Sequence, residues 1–214
     1  MRGTKCDIET WRLGEEARET RGRRPPAGRH MLAWGLVVVV TLLGAPAASQ
    51  PTVTDLLESL NLSGYPPGTR PPEFSGSTAD GQTLSLADLR GRVVLLNFWV
   101  TYCYLCKREM PEFEHLHRDF APQGLSVVAI NAHDGRLAIQ WYAEDAGLTF
   151  PLVLDPEVTI SASYGAIAFP TTFLIGRDGR AVARAVGPRD WGSAPARAII
   201  QALLAEPVAP KATP

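Results

Sequence analysis

The stretch that decides the fold is VVLLNFWVTYCYLCKREMPEF, residues 93–113. It opens with a nearly continuous apolar run, rich in β-branched and aromatic side chains, which predicts a strand buried on both faces of a sheet. Apolar residues then recur at three- and four-residue spacings as far as residue 120, which predicts a helix with one buried face. Cys103 and Cys106 therefore lie where a strand passes into a helix.

Two cysteines at this spacing are compatible with a redox pair, with half of a metal site or with two buried thiols. The position favours redox chemistry, because a sulfur at a helix N-terminus faces unpaired N–H groups and the positive end of the helix dipole. These groups stabilise the thiolate, which is the nucleophile. We expect Cys103 to be the nucleophile and Cys106, one turn later, to be the thiol that resolves a mixed disulfide.

Composition excludes several other classes of protein. The chain has 214 residues, of which 45% are hydrophobic and 20% charged, and this is typical of one globular domain with an appendage. A formal charge of -1 and the lack of a sustained basic tract after residue 30 give no sign of a nucleic-acid partner.

A metal site and a bound cofactor are not expected. A zinc site needs four ligands, but the chain after residue 50 has two cysteines, three histidines and no second C-x-x-C. Attachment of c-type haem is disfavoured because Lys107, and not histidine, follows Cys106.

The N-terminal part has the pattern of an export segment. MLAWGLVVVVTLLGAPAAS, residues 31–49, is an apolar run that follows several arginines and ends in small residues with an Ala-x-Ala site. This predicts that residues 1–49 are a basic cytoplasmic region followed by a cleaved signal peptide or a retained membrane anchor. In both cases the chain after residue 50 is exported, and Cys6 cannot pair with the other two cysteines.

The remaining sequence predicts one α/β domain. Residues 50–71, rich in Pro, Gly, Ser and Thr, are expected to be a linker with at most a short helix, the domain to cover 72–206, and 207–214 to be a loose tail. Strand and helix patterns alternate through the domain, with a hairpin signal at 79–81 and an Asp-Gly turn at 178–179. A last helix is predicted over 191–205. Together these elements predict a thioredoxin-like fold, a mixed sheet with helices on both faces, preceded by an N-terminal hairpin extension.

Residues 93–113 resemble the active-site strand and helix of the TlpA/ResA/CcmG-like thiol-disulfide oxidoreductases, a branch of the thioredoxin superfamily. AFPTTFLIGRDGR, residues 168–180, resembles the cis-proline segment of the same family and the hairpin after it. The resemblance implies that Pro170 is a cis-proline and that Phe169 lines a substrate groove. An ordinary trans-proline that starts a strand is the alternative.

The resemblance also implies roles for residues around the cysteine pair. Glu109 aligns with an acidic residue that the ResA-like group uses near its active site. A half-buried carboxylate there would have a raised pKa and could take the proton of the resolving thiol, whereas the alternative is a solvated glutamate. Trp99 and Tyr102 are expected to wall the site, with a core position for Trp99 equally consistent with the pattern.

Tyr104 and Leu105, between the cysteines, are expected to tune the redox potential. Many relatives carry a proline just before the second cysteine, so the preferred direction of electron flow stays open.

The resemblance implies an exported, periplasmic oxidoreductase whose Cys103–Cys106 pair forms a disulfide and reduces exported proteins, as in cytochrome c biogenesis or copper-site maturation. Such an enzyme needs an upstream membrane electron donor, because an oxidising compartment would keep the pair oxidised. The alternatives are a net oxidant or isomerase, and a redox-inactive peptide-binding module. Peroxidase activity is not expected, because Val100 and Leu96 replace the threonine and proline of the peroxiredoxin signature.

Overall fold

A six-stranded mixed sheet forms the centre of the domain in the computed structural model, which describes residues 51–208. In spatial order its strands are β1 (Ser63–Gly64), β8 (Ala181–Val186), β7 (Thr171–Ile175), β4 (Val93–Trp99), β5 (Leu125–Ala132) and β6 (Leu152–Asp155). Strand β4 is parallel to β5 and antiparallel to β7. All seven residues of β4 are buried, which confirms the predicted strand with two covered faces.

Within residues 51–208, five α-helices surround the sheet: α1 (Val53–Ser59), α2 (Tyr104–Phe120), α3 (Arg136–Ala146), α4 (Thr159–Ser163) and α5 (Ala194–Ala205). Alternate residues of β4 enter two separate apolar clusters, because successive side chains of a strand point to opposite faces. Leu95 and Trp99 join a cluster with side chains of α1, α2, α3 and α5, whereas Leu96 and Phe98 join a second cluster against which Ile160 of α4 packs. The predicted thioredoxin-like sheet with helices on both faces is confirmed.

The predicted hairpin extension is also present. Strands β2 (Ser75–Ser77) and β3 (Thr83–Ser85) pair in antiparallel fashion. Gly81 in the turn between them has a φ of 91°, a backbone conformation that glycine adopts without strain. Thr78 in the same turn pairs with Val153 of β6, so the hairpin lies against an edge of the main sheet.

Residues 53–64 contain the short helix that the linker over 50–71 was expected to hold at most, and they also add a strand to the main sheet. Helix α1 carries a Thr52–Asp55 capping box, buries Leu56 and contacts α5. Strand β1 pairs with β8 in the main sheet. A two-residue strand of Ser and Gly has no apolar alternation, so the sequence gives no sign that β1 pairs with the sheet.

The last helix begins three residues later than predicted. It starts at Ala194 because Ser193 is its N-cap and accepts a hydrogen bond from Ala196 N. Trp191 therefore belongs to the segment before the helix.

No helix within residues 51–208 is both long enough and apolar enough to cross a bilayer. The predicted export segment at 1–49, Cys6 and residues 209–214 lie outside the described part of the chain.

Candidate active site

The cysteine pair occupies the first turn of α2. Cys103 is the N-cap residue, and its Sγ accepts a hydrogen bond from Cys106 N at 3.1 Å. The two residues form a disulfide with a Cα–Cα distance of 5.3 Å. Cys103 is partly buried, whereas Cys106 is fully buried in the core. A partner can therefore reach Cys103, while Cys106 is sheltered behind it, as their predicted roles require.

The short loop between β4 and α2 is fixed by a neighbouring loop. Val100 O accepts a hydrogen bond from Cys103 N at 3.2 Å, which closes a turn. Asp134, which follows β5, accepts hydrogen bonds through Oδ2 from Thr101 N at 2.7 Å and from Asn131 Nδ2 at 3.0 Å. We did not single out Asp134 from the sequence. Its position just after β5 could have indicated that it lies near the cysteine loop, because the carboxyl ends of neighbouring parallel strands lie at the same edge of a sheet.

The peptide bond between Phe169 and Pro170 is cis, as the resemblance implied. Pro170 is buried and Phe169 partly buried. The next residue, Thr171, pairs with Phe98 near the end of β4. The cis-proline thus lies beside the end of the strand from which the cysteine loop continues.

Three predicted site residues are strongly exposed around the disulfide. Tyr102 and Tyr104 are 73% and 74% exposed, and Leu105 is 39% exposed. Ile167, two residues before Phe169, is exposed as well. Large apolar side chains on a surface that also carries a reactive group are typical of a protein-binding face.

Trp99 does not belong to that face. Its side chain is completely buried and packs against Tyr142, with ring centroids 5.1 Å apart. It shares a core cluster with Cys106 and Met110. The expectation that Trp99 walls the substrate site is therefore wrong, and the core position is correct, because the alternation of β4 turns this residue toward the helices.

Glu109 lies one turn after Cys106 and is 2% exposed, so the solvated reading does not hold. Its Oε1 accepts hydrogen bonds from Arg189 N at 2.7 Å and Trp191 Nε1 at 2.9 Å. Its Oε2 is buried without a hydrogen-bond partner among residues 51–208. Burial raises the pKa of Glu109 to about 7, although the two N–H donors act in the opposite direction by stabilising the carboxylate.

Glu112, one turn further along α2, binds the same crossing segment. Its Oε2 accepts hydrogen bonds from Trp191 N at 2.7 Å and Gly192 N at 3.2 Å. We call residues 187–192 the crossing segment, because it joins β8 to α5 across these two carboxylates. A cavity of about 370 Å³ lies here, and its lining consists of Arg108, Glu109, Glu112, Pro188, Arg189 and Asp190. Neither Arg189 nor Trp191 was expected from the sequence as a partner of Glu109.

Asn97 is buried in the middle of β4 and donates a hydrogen bond from Nδ2 to Thr172 Oγ1 at 2.9 Å. An amide cannot take up a proton near neutral pH, so Asn97 cannot be the proton acceptor. Among the described residues, Glu109 is the buried titratable group nearest in sequence to Cys106. Within residues 51–208, no three His, Cys, Asp or Glu side chains are grouped as metal ligands would be.

The fold and the site together define a class of protein: a thioredoxin-like domain with a C-x-x-C pair at the start of a helix and a cis-proline beside it. The chain belongs to the AhpC/TSA family, whose model matches residues 67–184, more than half of its length.

Two relatives of this chain are named as thiol-disulfide oxidoreductases. The chain is 40% identical over 113 residues to the thiol-disulfide oxidoreductase ResA of Geobacillus thermodenitrificans, which covers 53% of this chain and 65% of that protein. It is 36% identical over 115 residues to ResA of Bacillus subtilis, covering 54% of this chain and 64% of that one. The chain thus spans slightly less than two thirds of the length of these relatives.

A solved structure with a similar fold has a related description. A putative thiol:disulfide interchange protein DsbE from Chlorobium tepidum superposes with a TM-score of 0.60 at 28% identity, covering 64% of this chain and 96% of that one. The resemblance to the TlpA/ResA/CcmG-like branch is confirmed.

Proposed function

We propose that this protein is a thiol-disulfide oxidoreductase that exchanges its Cys103–Cys106 dithiol or disulfide with partner proteins. The observation that carries the proposal is the geometry of the pair. Cys103 Sγ lies at the start of α2 in a partly exposed position, and Cys106 is buried within disulfide distance behind it.

The reaction proceeds in two exchanges. In the reduced protein, the Cys103 thiolate attacks one sulfur of a substrate disulfide, forms a mixed disulfide and releases the first substrate thiolate. The Cys106 thiolate then attacks Cys103 Sγ, which closes the internal disulfide and releases the second substrate thiolate. Two electrons pass from the dithiol to the substrate, and the reverse sequence oxidises a substrate dithiol.

Glu109 is the proton acceptor for Cys106 in this proposal. A buried thiol resists ionisation, so a carboxylate one turn away on the same helix lowers the barrier to forming the second nucleophile. With a pKa of about 7, Glu109 has both its acid and its carboxylate form populated near neutral pH. The acid form can later return the proton to a departing substrate thiolate.

The substrate lies along the cis-proline segment. Backbone groups around Phe169 and Pro170 bind an extended chain, and the exposed rings of Tyr102 and Tyr104, with Leu105, contact apolar side chains beside the disulfide. This arrangement favours exposed, unfolded or loop-borne disulfides over buried ones.

We further propose that the protein is exported and acts as a reductant. Support comes from the sequence of residues 31–49 and from the resemblance to branches that maintain cytochrome c and copper-site precursors in reduced form. In an oxidising compartment a membrane donor must resupply the electrons. A net oxidant or isomerase would instead show a clearly higher reduction potential at equilibrium with a thiol buffer.

The test is reduction of insulin disulfides by the full-length chain with a chemical electron donor. We expect the wild type to accelerate the reaction and Cys103→Ser and Cys106→Ser each to fall to the uncatalysed rate. Cys6→Ser is the matched control, because it makes the same substitution outside the pair, and it is expected to keep full activity. A wild type no faster than Cys103→Ser would refute the proposed function.

A second experiment identifies the partner. Cys106→Ser removes the resolving thiol, so Cys103 should remain joined to its substrate in a mixed disulfide that mass spectrometry can identify. The Cys103→Ser/Cys106→Ser double variant is the control for adventitious adducts. Trapping of exported proteins supports the proposal, whereas an equal yield from the double variant counts against it.

A further inference from the structure

The crossing segment, residues 187–192, delivers four hydrogen bonds to two carboxylates of α2. Glu109 receives one from a backbone N–H and one from an indole, and Glu112 receives two from backbone N–H groups. A carboxylate that accepts several N–H donors is stabilised relative to its acid. The segment therefore acts on the charge state of Glu109, which lies one helical turn after Cys106.

Of these four donors, only the indole of Trp191 belongs to a side chain. It is completely buried, its Nε1 lies 2.9 Å from Glu109 Oε1, and its ring packs against Phe113 with centroids 5.7 Å apart. The apolar ring of a buried tryptophan needs no polar partner, but its indole N–H needs a hydrogen-bond acceptor. Here that partner is the carboxylate.

Other charged groups also face Glu109. Glu112 on α2 disfavours a second negative charge, and Arg189 in the crossing segment favours it. Arg108 of α2 and Asp190 of the crossing segment share the cavity with them. Burial acts most strongly on Glu109 and favours its acid form, while the two N–H donors act against burial and favour the carboxylate.

We propose that Trp191 is a positioning residue of the thiol chemistry, whose indole N–H favours the ionised form of Glu109, the proton acceptor one helical turn after Cys106. The proposal rests on the proposed function. The step concerned is the second exchange: Cys106 gives its proton to the Glu109 carboxylate, the resulting thiolate attacks Cys103 Sγ, and the bond between Cys103 and the substrate sulfur breaks. No further oxidant or reductant is needed.

The experiment isolates that step. The reduced full-length chain, carrying Cys6→Ser to remove the third thiol, is mixed with Ellman's reagent, which forms a mixed disulfide with Cys103 and releases one chromophore. Attack by Cys106 then releases the second chromophore in a phase whose rate does not depend on reagent concentration. The pH dependence of this phase reports on the proton acceptor.

Trp191→Phe keeps an aromatic ring and removes the N–H donor. The lost hydrogen bond favoured the carboxylate, so the pKa of Glu109 should rise and the acidic limb of the profile should move to higher pH, by about one unit. The second phase should then be about tenfold slower on the acidic side and unchanged on the alkaline side, where Glu109 is ionised in both proteins. Trp191→Phe in a Glu109→Gln background should give no further shift.

Phe113→Leu is the packing control, because it loosens the same aromatic contact and leaves the indole N–H in place. Its acidic limb should stay at the wild-type position. If Trp191→Phe fails to fold, replacement of Trp191 by β-(3-benzothienyl)alanine removes the N–H at nearly constant shape and should give the same shift.

A wild-type profile for either Trp191 replacement would overturn the proposal, as would equal slowing at every pH or a shift that persists without Glu109. The proposed function fails separately, through absence of catalysed insulin reduction.

Discussion

At the scale of single residues, Glu109 is an expensive side chain for the fold. Its carboxyl group is almost completely buried, and one of its oxygens has no partner among residues 51–208. Burying a charge is unfavourable even when two N–H groups bind it, so the folded protein prefers the acid form over a wider pH range than the unfolded chain does. The same feature that suits a proton acceptor therefore reduces stability.

Stability should consequently depend on pH through Glu109. Its pKa is raised from 4.5 to about 7, so its contribution is fully present below 4.5 and is lost as the pH rises through about 7. Over that window the free energy of unfolding of the oxidised wild type should fall by about 3 kcal/mol relative to Glu109→Gln, whose amide can still accept both hydrogen bonds. Urea unfolding of both proteins across this pH range measures the difference. A gap that does not change with pH would show that Glu109 titrates normally.

At the scale of elements, the cysteine loop depends on the loop that follows β5. Asp134 Oδ2 receives Thr101 N and Asn131 Nδ2, so one carboxylate joins the end of β5 to the start of the cysteine turn. The two strands are parallel neighbours, and Trp99 pairs with Asn131 at their ends. The position of Cys103 is therefore set from the side as well as by its own helix.

Asp134→Ala should loosen this loop. It leaves Thr101 N without its acceptor, and we expect a loss of about 1–3 kcal/mol in unfolding free energy and faster amide hydrogen exchange at Thr101. Asp134→Asn is the matched variant: it keeps an acceptor oxygen and should lose less. Unaltered exchange at Thr101 in Asp134→Ala would mean that the turn holds itself.

At the scale of the whole described chain, residues 53–64 are part of the domain. Leu56 and Leu60 are buried with side chains of α5, β1 extends the sheet beside β8, and Asn61 O accepts two hydrogen bonds from the guanidinium group of Arg189. A linker would make none of these contacts. The folded unit therefore begins well before the hairpin extension.

Leu60→Ala should destabilise the domain by about 2–5 kcal/mol, because it leaves a cavity between α1 and the sheet. Thr54→Ala, on the exposed side of the same helix, should change the free energy of unfolding by less than about 0.5 kcal/mol. Chemical unfolding of the two variants tests the assignment. If both variants changed the free energy of unfolding by the same small amount, residues 53–64 would be a linker and not part of the domain.

The sequence was sufficient where the signal is local. The apolar run of β4 and the apolar spacing after Cys103 predicted the strand and the helix, whereas the cis peptide at Pro170 was implied by the family resemblance of residues 168–180. The sequence was insufficient for partners far apart in the chain. Trp191 lies 82 residues from Glu109, and no pattern near either residue predicts their contact. Trp99 was ambiguous for a different reason. When every position of a strand is buried, alternation no longer shows whether its last residue lies in the core or at the surface of the site.

The contacts of Arg189 also determine how a mechanical force would pass through the domain. Its backbone N–H binds Glu109, and its guanidinium group binds the carbonyl of Asn61, so a single residue joins the segment after α1 to Glu109 on α2. Tension applied at residue 51 would load α1 and β1 first and would reach Arg189 through Asn61. The path of force from the start of the described chain therefore ends at the carboxyl group of Glu109.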